Sequence, residues 1–308
     1  MDKPMPDIVV ITGPTATGKT RLAALVADRL GGEVISADSR QVYRGMDIGT
    51  GKDLSDYIVD GRRVPVHMVD IVDAGYRYNV YEYQRDFLRV FEDMSARDVF
   101  PVVCGGSGMY VDSIVSGYRL VKVPVNAPLR ALLAERSLDE LTVMLSHYKN
   151  LHNKTDVDTV KRAIRAIEIA DYYANHPVDE TPFPVRNPLV MALFVDRETR
   201  RQRISDRLRA RLDEGMIEEV QRLLAGGIHP DDLIYYGLEY KYITLYLTNR
   251  LTRDEMIQKL EVEIHRFAKR QMTWFRGMER RGITINWIDG NMSDLEKTDH
   301  IIARLHHT

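Results

Sequence analysis

The sequence predicts an α/β fold: a parallel sheet flanked by helices, interrupted by a helical insertion domain. Three observations predict it. The chain opens with an apolar run, a glycine loop and an amphipathic run in direct succession. Short apolar runs then alternate with helical periodicity, which is the signature of parallel strands joined by crossover helices. Between about 120 and 186 the strand-like runs vanish, and helical segments and prolines take their place. The expected organisation is a catalytic core made of 1–119 and 187–308, with 120–186 as the insertion.

The first strand is Ile8-Val9-Val10-Ile11, and the first helix runs from Arg21 to Leu30. Between them lies Gly13-Pro14-Thr15-Ala16-Thr17-Gly18-Lys19-Thr20, the G-x-x-x-x-G-K-[ST] spacing of a phosphate-binding loop. Its glycines let backbone N–H groups curl around an anion, and the helix start adds partial positive charge. Lys19 adds a full charge, and the Thr20 hydroxyl is a Mg²⁺ ligand in such loops. The core is therefore expected to be P-loop NTPase-like, binding a nucleotide such as ATP or another polyphosphate. Glu33 to Asp38 reads as a second strand ending in a carboxylate, and Val66 to Asp70 as a third. Val80, Phe87, Leu88, Phe91 and Met94 mark a helix over 80–97. Phe100 to Cys104 is a fourth strand, ending at Gly105-Gly106-Ser107-Gly108. In such sheets ligands collect beyond the carboxyl ends of the strands, where the loop, Asp38, Asp70 and the Gly105-Gly106 turn all fall.

Past the linker Val123–Pro128, helices are expected near 129–135, 138–148 and 157–173, followed by Pro177, Pro182, Pro184 and Pro188. A strand over 189–195 resumes the core. Helices over 200–212, 216–224 and 253–276 follow, with a last strand at 283–287. No internal repeat or low-complexity tract is found.

Composition narrows the function classes. With 44% hydrophobic and 29% charged residues, the chain has the balance of an ordinary globular protein. A net charge of −2 means that any nucleic-acid partner must be held by local clusters. One cysteine, Cys104, excludes an internal disulfide framework and a cysteine zinc site, and it suits a reducing cytoplasm. No apolar run approaches the roughly 18 residues of a membrane span. The start, Met1-Asp2-Lys3-Pro4, lacks the features of a signal peptide.

Among residues able to do chemistry, Asp38 is either a magnesium-organising acid, a general base, or a helix N-cap. Asp70 is a second magnesium-organising candidate or a structural cap, and His67 reads as a core histidine. Arg203, Arg207 and Arg211 recur every four residues within an arginine-rich run, so they share a helix face fit to grip phosphates or, in the plainer alternative, a solvated one. Arg266, Lys269 and Arg270 precede Trp274 and Phe275, an interleaving that suits single-stranded RNA. Lys161, Arg162 and Arg165 make a third basic patch.

Several blocks together resemble the tRNA dimethylallyltransferase (tRNA isopentenyltransferase) family. They are Gly13–Thr20, Ser36-Ala37-Asp38-Ser39-Arg40-Gln41-Val42-Tyr43, Gly45-Met46-Asp47-Ile48-Gly49-Thr50, Gly105-Gly106-Ser107-Gly108-Met109-Tyr110, Gly215-Met216-Ile217-Glu218-Glu219-Val220 and Ala268-Lys269-Arg270-Gln271-Met272-Thr273-Trp274-Phe275-Arg276. They span nearly the whole chain in order. The resemblance implies transfer of a dimethylallyl group from dimethylallyl diphosphate to N6 of the adenosine 3′-adjacent to the anticodon in tRNA, with release of diphosphate. It also implies catalytic roles for Asp38 as the acceptor of the N6 proton, for Thr20 with Mg²⁺, and for Arg207 as a diphosphate ligand, with residues 13–20 cradling the diphosphate. Asp38, Ser39, Arg40, Gln41, Ser107, Arg130, Lys161, Arg162, Ala163, Ile164 and Arg165 match tRNA-contacting positions. The insertion would grip the anticodon stem-loop, and the enzyme is expected to act as a cytoplasmic monomer.

Two positions depart from the family pattern: Ser107 stands where threonine is usual, and Leu238 follows Gly237 where tyrosine is usual. Three alternatives compete: prenyl transfer to free AMP or ATP, a P-loop small-molecule kinase, and a nucleotide-gated RNA-binding protein.

Overall fold

The computed structural model describes residues 5–117, 119–148, 155–177, 181, 183–185 and 187–306. The chain divides into two compact units, Met1–Tyr118 with Phe183–Thr308, and Arg119–Pro182.

The larger unit is built on strands β1 (Ile8–Thr12), β2 (Glu33–Ser36), β5 (Val66–His67), β6 (Pro101–Cys104), β7 (Pro188–Phe194) and β8 (Asn286–Asp289). They form one parallel six-stranded sheet in the order β5-β2-β6-β1-β7-β8. A separate two-stranded hairpin joins β3 (Ile58–Val59) and β4 (Arg62–Arg63). Strand β1 is the centre: Val10 lies between Val103 of β6 and Val190 of β7. Every residue of β1 is buried, as expected for a parallel strand covered on both faces. The alternation of a strand sends Ile8 and Val10 into one apolar layer and Val9 and Ile11 into the other.

Helices α1 (Lys19–Leu30) and α12 (Asp294–His306) cover the second of those faces through Leu22, Ala23, Val26, Ile301 and Leu305. The other face carries α2 (Val80–Ala96) and α3 (Gly108–Val115), followed later in the chain by α7 (Arg197–Asp213), α8 (Met216–Ala225), α9 (Pro230–Tyr235), α10 (Leu238–Leu247) and α11 (Arg253–Arg280). Asn79 with Glu82, and Thr252 with Glu255, close capping boxes that start α2 and α11.

Arg119–Pro182 holds α4 (Ala127–Ala134), α5 (Leu138–Tyr148) and α6 (Val160–Asn175) around its own small core of Leu133, Leu141, Leu145, Ala163 and Ile167. Phe183 and Val185 are buried in the core of the larger unit, so the helical unit ends before the 186 that the sequence suggests.

Three strands differ from expectation: the second stops at Ser36, short of Asp38. The third stops at His67 because Met68 and Asp70 take left-handed φ values of 64° and 54°, which a strand excludes. The last begins at Asn286 instead of 283.

Candidate active site

Because the strands are parallel, the segments after β1, β2 and β6 emerge at one sheet edge and bond to one another. Ala37 N–H donates to the Cys104 carbonyl (2.7 Å), Gly105 N–H to Ile11 (3.2 Å) and Ser107 N–H to Ala37 (3.3 Å). The Thr12 hydroxyl donates to the Gly105 carbonyl at 2.8 Å.

The phosphate loop links β1 to α1. Gly13 takes φ 135°, and a Cβ there would sit 2.5 Å from the Leu193 carbonyl of β7, so only glycine passes. Within the loop, the Thr17 hydroxyl (2.9 Å) and Lys19 Nζ (2.7 Å) both donate to the Pro14 carbonyl. No side chain caps the N-terminus of α1, which leaves its first-turn N–H groups for an anion.

Two cations converge here. Lys19 is pushed down to about 8, chiefly by burial, with Cys104 and Asp38 opposing and Arg207 reinforcing the shift. Arg207 is lowered to about 10 by burial and by Arg211 beside it, and stays charged at neutral pH. An Arg207 Nη2–H donates to the Thr15 hydroxyl. Among the described residues neither cation has an ion pair with a carboxylate. Arg211 is buried, with Asp53 at 3.9 Å and Glu239 within its field. Positive charge that is partly desolvated and bonded to no carboxylate among the described residues is suited to an anion. The shared face of α7 is thus split: Arg207 turns to the phosphate loop, Arg211 to Gly51 and Asp53, and Arg203 bonds Asn291 at 2.9 Å.

Asp38 lies just past β2, partly buried and electrostatically coupled to Lys19 and Arg207. Its Oδ1 accepts from Arg40 N–H at 2.9 Å, so one oxygen caps the turn. The other has no hydrogen bond among the described residues. The neighbouring residues are tightly held. Ser39 N–H donates to Ser107 Oγ (2.9 Å), and the Ser107 hydroxyl donates on to Ser39 Oγ (3.1 Å). Gln41 Nε2 donates to the Gly51 carbonyl (3.0 Å) while its Oε1 accepts from Ser36 Oγ (3.3 Å). The Arg40 guanidinium lies 5.6 Å from the centre of the Tyr235 ring.

Other candidates are committed elsewhere. Asp70 is bound by buried Lys52 Nζ at 2.5 Å, and the same ammonium holds Asp47 at 2.6 Å, so Asp70 is a structural partner. His67 meets Glu33 at 2.6 Å. Burial pushes the Cys104 thiol up to about 12, leaving it unreactive beside Thr20, whose side chain bonds it. No group of three or more His, Cys, Asp or Glu that could hold a metal occurs among the described residues. Mg²⁺ bound with a diphosphate needs only one or two protein oxygens, and the half-buried Thr20 hydroxyl in the first turn of α1 fits that requirement.

Three side chains around the site escape sequence reasoning. Glu219 of α8, buried, accepts from the N–H groups of Asp47 and Ile48 (both 2.8 Å) and Gly49 (3.0 Å) and from the Tyr240 hydroxyl (2.7 Å). Burial pushes the Glu239 carboxyl up, with Asp38 adding to the shift and Arg211 and Arg207 opposing it. Gln271 of α11 reaches the phosphate loop itself: Thr15 N–H donates to its Oε1 at 2.9 Å. Glu219 and Gln271 stand inside the recognisable blocks, but nothing local says which distant backbone each one meets.

In the helical unit, Arg130 donates to both oxygens of Glu168 (2.9 and 2.8 Å), and Arg165 donates to Glu168 and to the Val123 carbonyl (3.0 Å). Burial alone would raise Glu168; the hydrogen bonds from Arg130, Asn126 and Arg165 outweigh it and bring it down to about 2. Lys161 is exposed and Arg162 pairs with Asp158. Ala163 is buried in the unit's core and Ile164 packs against it.

The family described as IPP transferase matches residues 41–278. A tRNA dimethylallyltransferase 2 of Bacteroides fragilis is 59% identical over 305 residues, covering 99% of both chains. A tRNA dimethylallyltransferase 1 of Parabacteroides distasonis is 56% identical over 291 residues, covering 94% of this chain and 95% of that one. Among solved structures, the full-length tRNA isopentenylpyrophosphate transferase of Bacillus halodurans superposes with a TM-score of 0.71 at 30% identity, covering 98% of this chain and 97% of that one. A eukaryotic dimethylallyltransferase acting on tRNA shares the fold, with a TM-score of 0.74 at 21% identity over 96% of this chain and 76% of its own. With the family match over residues 41–278 and the full-length relatives in agreement, the chain belongs to the IPP transferase family.

Proposed function

We propose that this chain transfers a dimethylallyl group from dimethylallyl diphosphate to N6 of the adenosine 3′-adjacent to the anticodon in tRNA. The allylic C–O bond breaks and its electron pair leaves with the diphosphate. The N6 lone pair forms the new C–N bond, and N6 gives up a proton. The observation that carries this reading is the placing of two cations that, among the described residues, are bonded to no carboxylate, Lys19 and Arg207, near Asp38, one of whose oxygens has no hydrogen bond among those residues.

Residues 13–20 hold the diphosphate, with Lys19 and Arg207 supplying charge that matters most as the bond breaks and the leaving group becomes more negative. Mg²⁺, when bound through the Thr20 hydroxyl, supplies further positive charge to the leaving diphosphate. Asp38 accepts the N6 proton through its free oxygen, while its hydrogen bond to Arg40 N–H holds the carboxylate in place. Ser39 follows it in the chain, Arg40 N–H bonds it, Ser107 bonds Ser39 and Gln41 lies on the same turn, and these four contact the tRNA. The target adenosine leaves its stack to reach Asp38, as base-modifying chemistry requires. In the helical unit, Lys161 and Arg162 offer charge to the anticodon stem-loop, and Arg130 and Arg165, about 40% and 39% exposed, keep part of theirs available. No helix among the described residues is long and apolar enough to cross a membrane. We take the enzyme to act as a monomer in the cytoplasm.

The test is incubation with labelled dimethylallyl diphosphate and unmodified tRNA carrying adenosine beside the anticodon. Label is expected at N6 of that nucleoside, with diphosphate released in equal amount. No label in tRNA, or label transferred to free AMP in preference to it, rejects the proposal.

A further inference from the structure

Helix α11 sends one buried polar side chain into the active-site edge. Gln271 is 6% exposed, and both ends of its amide are used. Its Oε1 accepts from Thr15 N–H of the phosphate loop at 2.9 Å, and its Nε2 donates to the Gly106 carbonyl at 2.8 Å. The fit is close, since a Cβ on Gly106 would stand 2.6 Å from Nε2. Thr15 is thereby held twice, by Gln271 on its N–H and by Arg207 on its hydroxyl.

Gly106 in turn precedes Ser107, whose hydroxyl oxygen accepts from the N–H of Ser39, the residue after Asp38. A continuous path therefore runs from the loop that holds the leaving group to the carboxylate that takes the proton: Thr15, Gln271, Gly106, Ser107, Ser39, Asp38. A primary amide at this length donates to one backbone and accepts from the other without titrating. A buried amide with both ends satisfied is a rigid spacer, whereas one left half satisfied is strongly disfavoured.

We infer that Gln271 is a positioning residue that sets the phosphate loop in register with Asp38. It touches neither substrate, and it acts through Thr15 on one side and Gly106 on the other. The inference rests on the prenyl-transfer reading above, because it presumes that loop and carboxylate act on one reaction. Register matters because displacing reacting groups by about 1 Å lowers rates on the order of a hundredfold.

Three variants test it, with folding checked by circular dichroism and thermal melting. Gln271→Leu removes both bonds. Gln271→Glu, assayed above the pH at which its carboxyl ionises, keeps the acceptor for Thr15 N–H but loses the donor to Gly106. Gly106→Ala pushes the amide away without altering it. For each, pyrophosphate affinity is measured by calorimetry, and kcat is separated from the KM for tRNA. The expected result is a kcat lower by about tenfold or more, a pyrophosphate Kd higher by about fivefold, and a tRNA KM within about twofold of wild type, the range of one buried hydrogen bond lost. A merely structural role would lower the folded fraction and leave the pyrophosphate Kd of the folded protein unchanged. Should the leucine variant not fold, the other two decide. Wild-type kcat and pyrophosphate affinity in the folded variants, or a loss confined to the tRNA KM, overturns the inference. Wild-type protein that transfers no prenyl group would instead sink the proposed reaction, and the pyrophosphate titration would still judge the link from Gln271 to the loop.

Discussion

Arginines in the two units of this molecule live in opposite circumstances. In the helical unit, Arg130 and Arg165 converge on one buried carboxylate, Glu168, whose ordinary tendency to resist ionisation is overcome. At the sheet edge, Lys19 and Arg207 are driven the other way: burial lowers both, Arg207 adds to the lowering of Lys19 and Arg211 to that of Arg207, and among the described residues no carboxylate pairs with them. The first arrangement is complete and holds a fold together. The second is incomplete until an anion arrives. Charge count alone does not separate structure from function here; the presence or absence of a protein counter-charge does.

The sharpest way to break this contrast is to remove the base while keeping the anion site. Asp38→Asn should lower kcat by about 10²–10⁴-fold, the usual weight of a positioned general base. Pyrophosphate affinity should stay within about threefold, because the cations remain. A large loss of affinity in this variant would mean that Asp38 belongs to the binding site. Arg207→Ala should weaken pyrophosphate binding and lower kcat together, by about 10²-fold in kcat, as loss of one donor to developing charge does; an effect on tRNA affinity alone would contradict the anion-site account.

The pH dependence follows from Lys19. A lysine lowered to about 8 is charged below that pH and loses its proton above it. Pyrophosphate affinity, corrected for the ligand's own ionisation, should therefore be flat below about pH 8 and fall above it, and Lys19→Met should abolish the break. The opposite direction holds for Glu168. Its folded value of about 2 lies below its ordinary 4.5, so its stabilisation is present above about pH 4.5 and is lost as pH falls through 2. Glu168→Leu should destabilise the helical unit by about 2–3 kcal/mol, less than the ~3–5 of a fully buried pair because both arginines stay partly exposed. It should leave pyrophosphate affinity untouched, which proteolysis of residues 119–182 and calorimetry together would check. The smallest effect belongs to Lys161→Ala: tRNA affinity down by about threefold with a shallower salt dependence, since one exposed cation releases about one counterion.

Legibility followed how local each signal was. The phosphate loop, the strand before it and the helix after it are contiguous, so Gly13, Lys19 and Thr20 announce themselves in order. Asp38 could be singled out because a carboxylate at a strand end beside such a loop is a local pattern, although its double employment, one oxygen capping Arg40 and one free, needed coordinates. Helix α10 carried little signal. Its segment Leu-Glu-Tyr-Lys-Tyr-Ile-Thr-Leu-Tyr-Leu is rich in aromatic and β-branched residues and has no clean apolar stripe, and it is helical because Tyr240, Ile243 and Thr244 are buried by tertiary packing. The partners of Glu219 and Gln271 were invisible for a different reason. Each bonds backbone more than 150 positions away, and a backbone N–H or carbonyl leaves no trace in the side-chain sequence. The same limit applied to Arg130 and Arg165, which match nucleic-acid-contacting positions in sequence yet are found holding Glu168.

The most direct measurement is a crystal structure of the protein with a non-hydrolysable thio analogue of dimethylallyl diphosphate and an anticodon stem-loop. The diphosphate should lie in the loop of residues 13–20 against Lys19 and Arg207, with the free Asp38 oxygen within about 2.6–3.2 Å of the adenosine N6. A diphosphate bound elsewhere, or an Asp38 carboxylate turned away from N6 with the RNA in place, would contradict the account.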